Sequence, residues 1–72
     1  PAVVTSNTVT IELPQKGFML ELFDAAGKMV FKKDMRNLEG INQLVLPQLP
    51  RGVYIMNFRN NGYQEKQKLV IQ

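Results

Sequence analysis

Several stretches of this chain place apolar residues at every second position, and none settles into the three-and-four spacing of a helix. In Thr8-Val9-Thr10-Ile11-Glu12-Leu13, the residues Val9, Ile11 and Leu13 share one face, with Thr8, Thr10 and Glu12 opposite. Successive side chains of a strand point to opposite sides, so such a segment buries its apolar half only against a second layer. Pro14 cannot donate to a ladder and closes the strand. Residues 17–24 then set Phe18, Leu20 and Leu22 against Met19, Glu21 and Phe23. Both sides are apolar apart from Glu21, which predicts a strand internal to its sheet.

Asp24-Ala25-Ala26-Gly27 reads as a tight turn, with Asp24 accepting from backbone amides and Gly27 supplying a positive φ ahead of Lys28. Residues 28–33 form the return strand. Residues 34–40 are polar, with Met35 and Leu38 expected to tuck under the sheet as a crossover. Residues 41–46 give a further strand in which Asn42, Leu44 and Leu46 share a side, and Pro47 ends it. Residues 52–58 make the strongest strand, β-branched or aromatic on both sides. Asn60-Asn61-Gly62 supplies hairpin chemistry, Asn61 and Gly62 being the turn residues, and residues 63–71 complete the set. Six strands, or seven if Ala2-Val3-Val4 pairs, arrive at sandwich spacing. With no crossover helix the pairing should be mostly antiparallel. The expected fold is an all-β, compact, Ig-like antiparallel sandwich. Leu49-Pro50-Arg51-Gly52-Val53-Tyr54 has the form of a tyrosine corner, in which the Tyr54 hydroxyl reaches back to upstream backbone.

The chain has 72 residues, a length that makes one domain with a small core. A domain of this size hides roughly 60% of its unfolded surface, and its net stability is on the order of 5 kcal/mol. There is no Cys to staple it and no His. General acid–base chemistry near neutral pH therefore lacks its usual side chain. Ser6 is the lone serine, without a base beside it. The acids Glu12, Glu21, Asp24, Asp34, Glu39 and Glu65 stand singly, without metal-ligand spacing. Gly27-Lys28 has neither the upstream glycine nor the following Ser/Thr of a phosphate loop. No catalysis, cofactor or metal is expected. Net charge is +3, but the cations are dispersed, with Lys32-Lys33 the only adjacent pair. Nucleic-acid binding wants them clustered, so they read as solvated faces and edge protection. No apolar run approaches the ~20 residues of a membrane span.

Several strings, taken in order, resemble the type IX secretion C-terminal sorting domain (type A) of Bacteroidetes-type bacteria. Leu22-Phe23-Asp24-Ala25-Ala26-Gly27-Lys28 is similar to the family's middle hairpin, and Gly40-Ile41-Asn42-Gln43-Leu44-Val45-Leu46 to its next strand. Leu49, Gly52, Val53 and Tyr54 follow its Leu-x-x-Gly-aliphatic-Tyr pattern, and Lys68-Leu69-Val70-Ile71 its closing Lys and aliphatics. Pro1-Ala2 resembles the end of the opening motif. Gln72 departs from the Lys that many members carry at the last position. The resemblance implies a single domain over residues 1–72, placed at the C-terminus of a larger exported protein. It implies recognition by the type IX outer-membrane translocon, shuttle and sortase proteins, after transit through the periplasm. Carriage across the outer membrane and attachment at the cell surface, or release, would follow.

The residues expected to carry that recognition are Gly52, Tyr54, Lys66, Lys68, Leu69, Val70, Ile71 and Gln72. The chain closes on an apolar strand, so an open edge and terminal carboxylate of the last hairpin, residues 52–72, are expected to be what a partner grips by strand addition. Tyr54 carries a structural reading beside the functional one. Lys66, Lys68 and Gln72 carry an equally weighted reading as plain edge residues. Three alternatives stand beside the sorting signal: an Ig-like or fibronectin-like adhesion module for glycan or protein, a retained domain of a secretion-machinery component, and a spacer or weak homodimer pairing through its edge strands.

Overall fold

The computed structural model describes residues 2–4 and 7–72, with side chains from Asn7 onward. Pro1 and Ser6, singled out above, lie outside the described residues. Seven strands are present among them: β1 (Ala2–Val4), β2 (Thr8–Leu13), β3 (Phe18–Asp24), β4 (Met29–Met35), β5 (Gly40–Val45), β6 (Gly52–Asn60) and β7 (Tyr63–Ile71). They form a five-stranded sheet in the order β1-β7-β6-β3-β4 and a two-stranded sheet of β2 and β5. All pairings are antiparallel except that of β1, which lies parallel to the end of β7 with Ala2 opposite Leu69 and Val4 opposite Ile71. The result is an all-β sandwich of Ig-like layout.

The alternation read from β2 sets the core. Val9, Ile11 and Leu13 point inward with Leu44 and Leu46, against Phe18, Leu20 and Leu22 of β3, Met35 of β4, Tyr54, Met56 and Phe58 of β6, and Leu69 of β7. Each such side chain taken from water contributes about 1.5–3 kcal/mol. The small sheet rests on the large one through this packing. Pro14 and Pro47 fall just beyond β2 and β5, and Leu46 N–H closes the small sheet by donating to the Asn7 carbonyl at 2.6 Å. Strand β3 is internal, flanked by β4 and β6.

Two details of the β4 region differ from the expectation. The return strand runs to Met35, because Asp34 and Met35 pair with Met19 and Phe18. An acid is tolerated on this edge strand because Arg36 grips its carboxylate, Nε to Oδ1 at 2.9 Å and Nη2 to Oδ2 at 2.7 Å. Met35 is buried as expected, but Leu38 is 38% exposed. Met35 inherits its inward direction from the strand, whereas Leu38 lies past it in a turn closed by Leu38 N–H to the Met35 carbonyl at 3.0 Å.

Candidate functional site

Both hairpin turns have the chemistry their sequences dictate. Asp24 Oδ1 accepts from Ala26 N–H at 3.0 Å and Lys28 N–H at 2.9 Å, and the Asp24 carbonyl accepts from Gly27 N–H at 3.0 Å. Gly27 takes φ 88°, a conformation that costs any residue with a Cβ. At the other hairpin Asn61 and Gly62 have φ of 44° and 84° between the paired Asn60 and Tyr63. Positive φ at both central residues is the two-residue turn whose twist matches the strands it joins.

The Tyr54 ring is buried, and its hydroxyl donates to the Pro50 carbonyl at 2.6 Å. This is the hydrogen bond of a tyrosine corner, fixing the approach to β6. Alternation then divides the residues singled out in the last hairpin. Leu69 is wholly buried opposite Tyr54, so neither side chain is open to a partner; both shape the hairpin from within. Gly52 is exposed at the start of β6, paired with Ile71, which packs against the core. Lys66, Lys68 and Val70 point to the opposite, outward side, and Gln72 lies exposed beyond the strand. The outer edge of β7 is also divided. At Leu69, Val70 and Ile71 it is covered by β1, while along residues 63–68 no strand among those described pairs with it. The edge of the last hairpin is therefore open only in its first two thirds. No residue of the hairpin's other strand, β6, adds to it, because β6 lies inside the sheet.

The outward face of the five-stranded sheet holds a concentration of features that the sequence reading passed over. Register places Lys32, Glu21, Asn57 and Lys66 in one row across β4, β3, β6 and β7. Glu21 is only 7% exposed and Asn57 4%. A buried carboxylate is costly unless hydrogen-bonded and paired. Glu21 satisfies both conditions: Asn57 Nδ2 donates to its Oε1 at 3.2 Å and Arg59 Nη2 to its Oε2 at 3.0 Å. That fixes the Asn57 amide, since the reverse orientation would set two acceptors against each other. Asn57 Oδ1 is left buried, with no hydrogen-bond partner among the described residues. Beside this row, Phe23, Val53 and Ile55 floor an open groove of ≈ 770 Å³, walled by the Asp24–Gly27 turn and by Lys66. The signal was present in the sequence: Glu21 and Asn57 are polar intrusions into the two most apolar strands.

Elsewhere on the surface Asp34 and Arg36 form an exposed ion pair. The Asp34 carboxyl is held down to about 2 from an ordinary 3.8, first by the Arg36 side chain and then by its backbone N–H, and the Arg36 guanidinium is raised in turn. Tyr63 is pushed above its usual range by its hydrogen bond to Glu65 at 3.2 Å. Its ring also meets Phe18 edge-on at 6.2 Å. Among the described residues no group of three or more His, Cys, Asp or Glu converges as a metal site, and no helix is long and apolar enough to cross a membrane.

The class of molecule these features define is a small β-sandwich with a partly open sheet edge and a broad grooved face, a domain built to present surfaces. The family model of the secretion system C-terminal sorting domain matches residues 5–72, and the chain belongs to that family, the type IX sorting signals. Comparison with curated proteins and with solved structures returned no significant match. Family membership makes the chain a signal that works with the type IX export machinery, in a family of sorting signals and not of catalysts.

Proposed function

We propose that this domain is the folded address label of a larger exported protein, gripped by the type IX translocon and shuttle for passage across the outer membrane. The sortase would then join the cargo to the surface or release it. The observation that carries the reading is the family match over residues 5–72. The unpaired outer edge of β7 at residues 63–68, carrying Lys66 and Lys68, supports docking by strand addition, where main-chain hydrogen bonds give affinity and side-chain contacts specificity. Removing residues 68–72 is a poor test, because it takes Leu69 out of the core. A sufficiency experiment is cleaner. Residues 1–72 fused behind a reporter bearing an inner-membrane export signal should bring it to the surface or medium of a type IX-competent cell. A reporter that stays in the periplasm, with the domain folded, would sink the proposal.

A second reading concerns self-association, supported by Ile41 at 75% and Val45 at 68% exposure on β5. Strand β5 has one neighbour, β2, and an outer edge with no partner strand among the described residues. Two copies paired antiparallel about Gln43 would set Ile41 of one opposite the partner's Val45, covering both. Such pairing is weak, since isolated two-stranded contacts are marginal in water. A mass by sedimentation equilibrium that stays monomeric at high concentration rules it out.

A further inference from the structure

From the outward groove of the five-stranded sheet we infer a binding site for an extended, acidic segment of a partner protein, one that places an apolar side chain over Phe23 and Ile55 and a carboxylate on Lys66. The inference deepens the sorting proposal and rests on it for the partner's identity.

Three observations converge on that chemistry. First, the groove's acids are already occupied. Glu21 is bound by Asn57 and Arg59, and Asp24 by the amides of its own turn. Lys66 makes no ion pair among the described residues, and Lys68 follows it on the same side, opposite Ile55. Across that outward side Lys32, Arg59, Lys66 and Lys68 stand against Glu21 and Asp24, so the surplus charge is positive, a carboxylate is the complementary group and a basic segment is disfavoured. Second, Phe23 and Ile55 are half-buried on the floor and open toward solvent. An apolar side chain laid there removes their remaining surface from water. Third, Asn57 Oδ1 is a shielded acceptor without a donor at the groove. Buried polar atoms of native proteins are nearly always paired. An extended peptide supplies the missing partner once the Asn57 side chain turns its shielded oxygen toward the groove, because the peptide backbone offers N–H donors between alternating side chains. A small anion or a lipid headgroup would satisfy Lys66 but would bring neither the donor for Asn57 nor the apolar contact.

The test titrates the isotopically labelled 72-residue chain with acetyl-Glu-Val-Phe-Val-Glu-amide and, as control, acetyl-Lys-Val-Phe-Val-Lys-amide, following amide and Asn side-chain resonances. The acidic peptide should shift Phe23, Ile55, Lys66 and the Asn57 side-chain amide, and bind at least tenfold tighter than the control. Lys66→Glu, at an exposed position, should keep the spectrum dispersed and reverse that preference. Asn57→Leu should weaken the acidic peptide about fivefold; if it fails to fold, Lys66→Glu alone decides. Equal binding of the two peptides, or shifts confined to β2 and β5, would overturn the site. In cells, Lys66→Glu in the intact cargo should cut secretion at least tenfold. Peptide binding with unimpaired secretion of that variant would overturn the partner assignment and leave the reporter experiment, which does not depend on Lys66, to judge the sorting role. Loss of reporter export with peptide binding intact would instead strike the sorting role itself.

Discussion

The outward faces of the two sheets are written in the same alternation and carry opposite chemistry. On β2 and β5 the outward set is Thr8, Thr10, Glu12, Ile41, Gln43 and Val45: polar or aliphatic, with a single charge. On β3, β6 and β7 it includes Phe23 and Ile55 beside the bound Glu21–Asn57–Arg59 cluster and the lysines Lys66 and Lys68. The first face is a plain surface. The second buries a carboxylate, at a desolvation cost that a merely solvated face has no reason to incur. An exposed Glu would serve solubility equally well. What separates the two is width: Glu21 and Asn57 sit on internal strands with a neighbour on each side to shield them, and a pair of strands has no internal position.

The largest effect tests the layer that both faces share. Leu44→Ala empties a wholly buried position on β5 and should cost about 2–5 kcal/mol, most of the stability of a domain this size. Urea unfolding should show the midpoint collapse, and a loss under 1 kcal/mol would mean that the small sheet is held by something other than packing.

Arg59→Ala sharpens the contrast directly. It leaves the buried Glu21 carboxylate with Asn57 alone, and should cost about 1–2 kcal/mol after allowing for the guanidinium's partial exposure to solvent screening. The matching change on the other sheet, Glu12→Gln, should stay within about 0.5 kcal/mol. Equal effects by the same unfolding measurement would erase the distinction drawn between the faces.

Tyr54→Phe keeps the ring and deletes only the hydrogen bond to the Pro50 carbonyl. A loss of about 1 kcal/mol is expected, with no change in binding of the acidic peptide, since the hydroxyl faces away from the groove. A binding defect in a folded Tyr54→Phe domain would show that the corner positions more than the start of β6.

The smallest effect lies at the sheet edge. The Asp34 pKa is depressed on folding, so its contribution is fully present above 3.8 and fades as pH falls through about 2. A carboxyl-carbon titration should place Asp34 at about 2, below its ordinary 3.8, and Arg36→Ala should raise it. An unmoved midpoint in that variant would assign the shift to the backbone N–H instead.

Much of this was legible along the chain, and for local reasons. Turns are decided by adjacent residues, so Asp24 and Gly27, and Asn61 and Gly62, declared both hairpins. The Tyr54 corner spans four residues and was equally visible. Strand positions followed from alternation, and the internal place of β3 from its two apolar sides. Leu38 was misplaced because a side chain's direction past a strand's end is set by the turn, which polar residues 34–40 did not specify. The site was harder to see. Lys66 and Lys68 were singled out, but Leu69 and Tyr54, which share their segment, turned out to belong to the core. The residues that line the groove come from β3, β6 and β7, and no one-dimensional spacing joins Glu21 to Asn57 and Arg59.

By itself, the sequence determined where strands lie to within a residue or two at their ends, which side of each is apolar, and how its neighbours turn, because these depend on residues a few positions apart. Only the tertiary structure decided that β1 covers the last third of β7 and leaves residues 63–68 open, and that Glu21, Asn57 and Lys66 fall in one row. Register between strands distant in sequence is fixed by the fit of the whole core, and a face exists only once that fit has placed its rows side by side.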